Sequence, residues 1–417
     1  MKAELPHLLL AVDLGGSGTK IVGGILGREG AKALIAMPHC IEVKNTDELL
    51  FNLDFDQHNT WVKLDGVGYA VGNLAATKFN ATNKLKPAKF TLAVPKICAA
   101  IAVFGQLFKL PAKFNLSLTF VLPPAEWEQK TIVVERLQAA LKDLDTPKGK
   151  IKPKLLSVSA NPEGMGVLLG QGLDLKKLAN ITVVMIGHRN ASVFATKFGE
   201  MNRPQSSDLG FHTVLKNIAS MTGYALEELI NPVVDYKRLK SYIATHNRHI
   251  ASLLKDKSNP NHSPYYLRDL DRNIIKSEQS ISKTELDIKN SLQSVLKCSG
   301  TDRGLEQTRL IEAIDQSMIE YTHKLTDWLD ENMDSGLDRI CLCGGTSNIL
   351  IEEIKSHLIE KLIDKNEQRF LQHFPLSEDA KKMLEDGERD RYHDIYSLYL
   401  QLHKDTVKLA LSPVMNH

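Results

Sequence analysis

The sequence predicts an α/β fold, and three observations predict it. Apolar segments of β-type composition alternate along the chain with longer stretches whose apolar residues have helical spacing. A glycine-rich turn joins two β-type segments near the N-terminus, over residues 8–26. A second pair of β-type segments meets at a glycine turn near residue 187. Each half of the chain therefore begins with a strand, a glycine turn and a second strand.

Composition limits the class of protein. The chain has 417 residues, of which 43% are hydrophobic and 24% charged, as in globular proteins of two to three domains. Lys and Arg number 52 against 50 Asp and Glu, a net charge of +2. This near-neutral balance argues against nonspecific nucleic-acid binding, which requires a basic surface.

Cysteine usage and apolar segments predict the compartment. The cysteines are Cys40, Cys98, Cys298, Cys341 and Cys343. An odd and scattered set indicates neither a disulfide framework nor a zinc site, so we expect reduced thiols in the cytoplasm. No signal peptide is recognised at the N-terminus. The longest apolar helix candidate, residues 97–108, is too short to span a bilayer, so no transmembrane segment is expected.

The predicted elements follow from apolar periodicity and turn residues. Asn161 is interpreted as the cap of a helix, with Pro162 at its first position. Residues 258–264 are interpreted as a surface loop within a polar, helical region, 236–290. The other predicted strands are 8–13, 20–26, 32–37, 115–122, 155–159, 181–186, 191–198 and 339–343. The other predicted helices are 90–110, 127–141, 208–221, 305–329 and 349–363.

The first glycine turn is the most informative segment. Its candidate ligand-binding residues are Asp13, Gly15, Gly16, Ser17, Gly18, Thr19 and Lys20. Glycines leave backbone N–H groups free to converge on an anion, and the two hydroxyls add donors. Asp13 could hold a hydrated Mg²⁺, and Lys20 could screen the remaining charge. A strand follows the glycines, which disfavours a dinucleotide fingerprint, and Walker A spacing is missing. An ordinary glycine-rich hairpin is the alternative.

Three further segments favour a phosphate site. The turn containing Gly187, Arg189 and Asn190 stands where a mirrored phosphate clamp would lie. A strand followed by Gly344, Gly345 and Thr346 brings backbone close to a ligand at a helix N-terminus, as an adenosine pocket requires. Glu163 lies between the two halves, where a carboxylate could orient or deprotonate a water that attacks a γ-phosphate.

In this order and spacing the segments resemble the actin superfamily of ATPases, and within it the bacterial plasmid-partition actins of the ParM/StbA family. The matching strings are residues 13–20, 161–166, 185–192 and 342–346, with weaker ones at 208–210 and 391–398. The resemblance implies two actin-like, ribonuclease H-like domains around a cleft that holds ATP (or GTP) and Mg²⁺. It also implies filament formation and an adaptor protein that links filaments to plasmid DNA.

The resemblance also implies a domain division. Domain I would span residues 1–170, with a small inserted subdomain at about 40–90. Domain II would span 171–385, with a polar helical subdomain at about 236–300, and residues 386–417 would form a C-terminal helix packed on domain I.

One departure from the family pattern concerns the second phosphate turn. The family carries an aspartate and a Gly-Gly-x-Thr string there, whereas this chain has Met185 followed by Gly187, His188, Arg189 and Asn190. A thioether is a poor ligand for Mg²⁺. Arg189 could offset the loss by placing a guanidinium on the phosphates, with Asn190 donating as threonine would. We therefore expect nucleotide binding with slow, or less Mg²⁺-dependent, hydrolysis.

Simpler interpretations exist for several residues. Glu163 could be only a first-turn residue favoured by the helix dipole. Lys216 is a candidate for contact with the nucleotide but could be an ordinary exposed lysine, and His188 is best interpreted as a turn residue. Cys341 and Cys343 are most simply small core residues. The basic stretch 237–276 could be a solvated face, a subunit contact or an adaptor surface.

Three functions compete. The leading one is an ATP-binding protein that polymerises into filaments and segregates plasmids, with itself and an adaptor as partners and no sequence-specific DNA binding of its own. A cell-shape cytoskeletal filament would look the same. A non-hydrolysing nucleotide-binding scaffold is favoured by Met185. A small-molecule kinase of the same superfamily is the last, although no string supplies an aspartate base for a substrate hydroxyl.

Overall fold

The structure is a computed structural model. It describes residues 5–15, 18–28, 32–37, 39–49, 56–81, 88–170, 180–198, 200–202, 204–258, 262–299, 301–371 and 389–411. The strands are β1 (His7–Asp13), β2 (Thr19–Ile25), β3 (Lys32–Met37), β4 (Cys40–Val43), β5 (Asn59–Leu64), β6 (Val67–Gly72), β7 (Asn115–Leu122), β8 (Leu144–Thr146), β9 (Gly149–Ile151), β10 (Lys154–Pro162), β11 (Asn180–Ile186), β12 (Ala191–Lys197), β13 (Glu200–Met201), β14 (Gln205–Ser207), β15 (Arg339–Cys343) and β16 (Phe370–Leu371). The helices are α1 (Asn73–Phe79), α2 (Ala93–Leu107), α3 (Lys130–Ala140), α4 (Met165–Gly170), α5 (Phe211–Thr222), α6 (Leu226–Lys257), α7 (Pro264–Leu292), α8 (Thr301–Asn332), α9 (Ser347–Glu360) and α10 (Arg389–Leu411).

Two large sheets share one topology. The first has the order β10-β7-β1-β2-β3, in which β1, β2 and β3 are an antiparallel meander, β7 pairs in parallel with β1, and β10 pairs in parallel with β7. The second has the order β13-β12-β11-β15-β16, with the same antiparallel meander and the same two parallel additions. The predicted similarity of the two halves is therefore confirmed at the level of strand order.

A smaller antiparallel sheet has the order β4-β6-β5-β8-β9. Its first three strands come from the region 40–72, and β8 and β9 come from a hairpin after α3. Sequence analysis missed this hairpin because each strand has only three residues, too few to show alternation. The hairpin of β8 and β9 extends the small sheet beyond residues 40–90, which were predicted only to form a small inserted subdomain.

Helices cover both faces of the first sheet. On one face, α2 and α3 bury Leu8, Leu10 and Val12 of β1 together with Leu116 and Leu118 of β7. On the other face, α10 covers the opposite side chains of the same strands. That second cluster consists of Leu9, Ala11, Val22, Val121, Tyr392, Ile395, Tyr396, Leu398 and Tyr399.

The helix α4 covers the second sheet. Val167 and Leu168 of α4 pack against Ile181 and Val183 of β11 and against Phe194 of β12. Cys341 and Cys343 of β15 belong to the same cluster, at 0% and 7% exposure. Burial raises the pKa of the Cys341 thiol to about 12, so it stays protonated. The prediction that these two cysteines are core residues is confirmed.

The chain divides into two compact units. The first consists of Met1–Asp208, Asn332–Gly345 and Lys361–His417, and it contains all three sheets. The second consists of Leu209–Glu331 and Thr346–Glu360, and it is helical. The domain limits predicted near residues 170 and 385 fall on segments 171–179 and 372–388, which lie outside the described residues.

The helix predicted to begin at Asn161 and Pro162 is wrong. Residues 154–162 form β10, which pairs in parallel with β7 so that Asn161 lies opposite Val121 and Pro162 opposite Leu122. The Asn161 side chain donates to the Thr119 hydroxyl at 2.9 Å and caps no helix. Pro162 is tolerated because β10 lies at the edge of the sheet. The helix begins at Met165.

The predicted helix 90–110 corresponds to the helical stretch Lys89–Leu107, and its apolar part is longer than the predicted 97–108. A 3-10 turn, Lys89–Leu92, runs directly into α2, and an 18-residue window of the combined 19 residues has a mean hydropathy of 1.7. By length and composition alone the stretch could cross a membrane, so the argument that it is too short was wrong. However, 61% of it is buried, because α2 packs on the first sheet and on β5. Its apolar composition is accounted for by this core.

Candidate active site

The first glycine turn joins the ends of β1 and β2. Asp13 is the last residue of β1, and its partner across the hairpin is Lys20, whose ammonium group forms an ion pair with the Asp13 carboxylate. The Gly18 N–H donates to the Gly15 carbonyl oxygen at 3.3 Å, which closes the turn. A Cβ on Gly15 would lie 2.6 Å from the Gly18 carbonyl oxygen, so the turn requires glycine there. Two predicted ligands, Gly16 and Ser17, lie outside the described residues.

Thr19 supplies an unused hydroxyl at this turn. The residue is fully buried, and its Oγ1 has no hydrogen-bond partner among the residues that the structure describes. A buried hydroxyl without a partner costs free energy, and an anion bound in the turn would supply a partner. The turn therefore fits a phosphate ligand.

The second glycine turn is the matching hairpin of the second sheet. It joins β11 to β12, and the Gly187 N–H donates to the Asn190 carbonyl oxygen at 2.9 Å. The Asn190 amide donates to the Ser206 hydroxyl of β14 at 2.9 Å. Met185 lies two residues before the turn and packs against the apolar cluster of α4 and the second sheet. Both predicted hairpins are confirmed, and each lies at the equivalent corner of its sheet.

Glu163 follows the last residue of β10. Its N–H donates to the Leu122 carbonyl oxygen at 3.0 Å, which extends the pairing of β10 with β7 by one hydrogen bond. Its carboxylate is buried, with 6% of the side chain exposed, and forms an ion pair with Lys89. Lys89 is itself only 9% exposed, at the start of the 3-10 turn before α2. Sequence analysis did not identify Lys89, because nothing local distinguishes it from a surface lysine.

Charges at this site shift two pKa values. Burial would raise the pKa of Asp13, but the positive charges of Lys20 and Lys89 outweigh that effect, so its pKa lies below the ordinary value. Burial would lower the pKa of Lys89, but the negative charges of Glu163 and Asp13 outweigh it and raise the pKa. Both groups are therefore ionised at neutral pH.

Glu126 links Lys89 to the second glycine turn. Its two carboxylate oxygens accept hydrogen bonds from the backbone N–H groups of Lys89 and Phe90, at 3.0 and 2.9 Å. The Arg189 guanidinium lies 3.6 Å from the same carboxylate. A cavity of about 250 Å³ opens here, lined in part by Glu126, Arg189, Asn190 and Ser206. Side chains attached to both large sheets therefore meet at one place within the first unit.

The third turn follows β15. Gly344 has a φ of +100°, and a Cβ there would lie 2.3 Å from the carbonyl oxygen of Ile186, so only glycine fits beside the end of β11. Gly345 is exposed, and Thr346, which is buried, accepts a hydrogen bond from the Ile349 N–H in the first turn of α9. The turn therefore lies next to the strand that carries the second glycine turn.

Lys216 and Thr346 belong to the second unit, whereas the other predicted site residues belong to the first. Lys216 is exposed on α5. Its proposed contact with a nucleotide remains a prediction.

Asp394 of α10 holds the segment that follows Glu163. Its carboxylate oxygens accept hydrogen bonds from the N–H groups of Gly164 and Gly166, both at 2.7 Å. Burial raises its pKa to about 7, although the two N–H donors favour the charged form and act in the opposite direction. The negative charge of Asp13 adds to the increase. Sequence analysis grouped Asp394 with a C-terminal string but gave it no role.

The donor set at this site suits a metal ion that is bound together with phosphates. Across the described residues, no group of three or more His, Cys, Asp and Glu side chains is arranged to hold a metal. Mg²⁺ in nucleotide sites is often held by one or two carboxylates, with phosphate oxygens and waters completing the shell. Asp13 can supply one carboxylate, whereas Met185, a half-buried thioether, cannot supply a second.

Comparisons with known proteins agree with this topology. No family model matches the chain, and no curated protein matches it in sequence. Among solved structures it is similar to Bacillus thuringiensis ParM with ADP (TM-score 0.52, 14% identity) and to the same protein with ATP (TM-score 0.51, 14% identity). It is also similar to the Alp12 filament structure (TM-score 0.50, 14% identity). Each match covers 96% of this chain and 99% of the other.

These matches extend over nearly the whole chain. Because the sequence identity is only 14%, they support the fold and carry no information about function. The chain therefore has an actin-like α/β fold of the ParM type. The fold predicted from the glycine turns and their spacing is confirmed.

Proposed function

We propose that this protein binds ATP and polymerises into filaments as an actin-like ATPase. One observation carries the proposal: two hairpin turns occupy equivalent corners of two sheets with the same strand order, and Arg189, Glu126 and Lys89 connect them. Two glycine turns at equivalent corners suit a ligand with a chain of phosphates. ParM with ADP and with ATP, and Alp12 in a filament, share the fold.

The residues have distinct roles in this proposal. One part of the phosphate chain would be bound by the first glycine turn, which comprises Gly15 to Gly18, Thr19 and Lys20. The other part would be bound by the second glycine turn, through Gly187, Arg189 and Asn190. Gly344, Gly345 and Thr346 would face the adenosine, and Lys216 the ribose or base. Asp13 would hold Mg²⁺ through water, and the ion would neutralise charge on the phosphates.

Glu163 is the proposed catalytic residue. It would orient a water molecule and accept its proton while the water oxygen bonds to the γ-phosphorus and the bond to the bridging oxygen breaks. The products are ADP and inorganic phosphate. Hydrolysis would change which subunit conformation is favoured, and filament contacts would select between the conformations.

The biological use that we propose is plasmid segregation in the cytoplasm. Filaments would contact plasmid DNA through an adaptor protein, since the net charge of +2 gives this chain no strongly basic surface overall. A cell-shape filament would use the same site and assembly.

The decisive experiment combines nucleotide binding with assembly. Purified protein is titrated with ATP, with ADP and with a nonhydrolysable ATP analogue, and then sedimented and imaged by electron microscopy. We expect binding of all three, with filaments that depend on the nucleotide, and release of phosphate without any added sugar. Absence of nucleotide binding would refute the proposal, and phosphorylation of an added sugar would instead establish a kinase.

A second candidate is a nucleotide-binding scaffold that does not hydrolyse ATP. Met185 favours it, because the side chain packs in the apolar cluster on the second sheet and offers no oxygen to a metal ion. Filaments that form with ATP but never release phosphate would support the scaffold over the ATPase.

A further inference from the structure

The buried ion pair of Lys89 and Glu163 stands out among the charges of the site. Both side chains are less than one-tenth exposed. Charged groups are seldom buried so completely unless they are paired, because the loss of hydration is large. Buried ion pairs are often no more stabilising than apolar side chains of similar volume, so stability alone is a weak reason for a lysine here.

The backbone of Lys89 is fixed in the region where the phosphates are proposed to bind. Its N–H is held by Glu126, which also lies beside Arg189 of the second glycine turn. Its ammonium group interacts with the charges of both Glu163 and Asp13, the latter at the end of the first turn. Lys89 thus pairs with Glu163, the proposed catalytic residue, and feels the charge of Asp13, the proposed metal ligand. Glu126 connects its backbone to Arg189 of the second glycine turn.

We propose that Lys89 is a phosphate-binding residue that pairs with Glu163 when no nucleotide is bound and shifts to the terminal phosphate when ATP binds. This inference rests on the proposed nucleotide site. The added negative charge of the γ-phosphate competes with Glu163 for the ammonium group. When the Lys89 ammonium group moves to the phosphate, the Glu163 carboxylate can accept a proton from water.

The proposal also accounts for the missing second acidic anchor. A lysine is a compact cation with three donors and binds phosphate as a point charge. Met185 cannot serve as a metal ligand, and the ammonium group of Lys89 would supply positive charge that does not depend on Mg²⁺. ADP lacks the γ-phosphate, so Lys89 should contribute to the binding of ATP and little to that of ADP.

The test compares ATP and ADP affinities in a background where Glu163 is neutral. Lys89→Met alone would leave the Glu163 carboxylate buried and unpaired. We therefore introduce Glu163→Gln first and add Lys89→Met to that variant. Isothermal titration gives both affinities for each protein. We expect Glu163→Gln to bind both nucleotides, and the added Lys89→Met to weaken ATP binding by about tenfold or more, with less than a threefold change for ADP.

Two outcomes would overturn the proposal: equal losses for ATP and ADP, or no loss for either. Lys89→Gln in the same background gives the same comparison if the methionine variant does not fold. Absence of nucleotide binding by the wild-type protein would refute the proposed function itself, and this is distinguishable from a loss confined to the Lys89 variants.

A second Lys–Glu pair, with a buried lysine and a half-buried glutamate, provides the control. Lys237 of α6 is 9% exposed and forms an ion pair with Glu353 of α9, within the second unit. Lys237→Met together with Glu353→Gln removes a pair of the same kind at a position to which we assign no ligand. We expect a comparable change in melting temperature and an unchanged ratio of ATP to ADP affinity. A change in that ratio in the control variant would show that the Lys89 effect is not specific.

Discussion

At the scale of single residues, Glu163 is held by neighbours from distant parts of the sequence. Lys89 pairs with its carboxylate, the Leu122 carbonyl oxygen accepts its N–H, and Asp394 binds the two glycine N–H groups that follow. These contacts fix the backbone on both sides of the side chain. A carboxylate whose position is fixed in this way is preorganised for proton transfer.

Glu163→Gln should abolish hydrolysis while leaving binding intact. The amide keeps the size of the side chain but cannot accept a proton from water, so phosphate release should fall at least 100-fold. The affinity for ADP should change less than threefold, and the affinity for ATP should not decrease, because the neutral amide no longer competes with the γ-phosphate for Lys89. Phosphate release and titration calorimetry measure the two effects, and Glu135→Gln, an exposed position on α3, is the control. Unchanged phosphate release would remove Glu163 from the mechanism.

Arg189→Ala should weaken nucleotide binding by about tenfold. The Arg189 guanidinium supplies a permanent positive charge at its turn, and a hydrogen bond to a charged group contributes about 1.5–3 kcal/mol. Titration at high and low Mg²⁺ measures the affinity, and Arg136→Ala, exposed on α3, is the matched control. An unchanged affinity and hydrolysis rate would contradict the assignment of Arg189 to the phosphates.

The candidate site could be predicted from sequence only where its residues lie close to one another along the chain. Asp13, Lys20 and the turn glycines lie within eight consecutive residues, and their pattern indicates a phosphate turn without knowledge of the tertiary fold. Lys89, Glu126 and Asp394 are separated from Glu163 by 74, 37 and 231 positions, so only the folded chain reveals their proximity to its segment. The ionisation and pairing of these three side chains depend on their burial, which cannot be inferred from a single sequence.

At the scale of elements, edges and ends of strands were the hardest features to predict. Asn161 followed by Pro162 is a reasonable helix start by local preference, yet pairing with β7 extends β10 through both residues. Tertiary hydrogen bonds overrode the local signal. The long, strongly patterned elements, such as β15 and the hairpin of β1 and β2, were predicted within one or two residues.

Close packing between α4 and α10 should make Gly166 sensitive to substitution. A Cβ at this position would lie 1.9 Å from the Asp394 carbonyl oxygen, so Gly166→Ala must displace α10. We expect a loss of about 1–3 kcal/mol in the free energy of unfolding, measured by denaturant titration.

Gly105 provides the matched control for Gly166. It lies in α2, and a Cβ there would meet nothing within 4 Å. Gly105→Ala should increase stability by about 0.5–1 kcal/mol, because alanine loses less conformational entropy in a helix. Equal effects of the two substitutions would contradict the packing argument.

At the scale of the whole molecule, two sheets with one strand order place their glycine turns at equivalent corners. This symmetry is what sequence analysis could predict of the global fold, from two glycine turns that each join a pair of strands. The mutual arrangement of the side chains that connect the turns depends on the packing of α2, α4 and α10 and could not be predicted.

Stability should depend on pH through Asp394. Its pKa is about 7 in the folded protein and near 3.8 when unfolded, so between these values the folded state holds a proton that the unfolded state releases. The contribution of Asp394 to stability therefore falls as pH rises through this window, by at most about 1.4 kcal/mol per pH unit.

Asp394→Asn removes this titration. The difference in unfolding free energy between wild type and Asp394→Asn, measured by denaturant titration, should shift against the wild type between pH 5 and pH 7.5. A difference that stays constant over that range would show that Asp394 does not titrate there.

The order of the elements along the chain has a consequence for synthesis. Leu9, Ala11, Val22 and Val121 are made early, but α10, which covers them, is translated after the strands of both large sheets. Until α10 has left the ribosome, this face of the first sheet stays uncovered and the segment after Glu163 lacks the Asp394 carboxylate. We therefore expect a chain cut before α10 to expose an apolar face on its first sheet and to fold poorly.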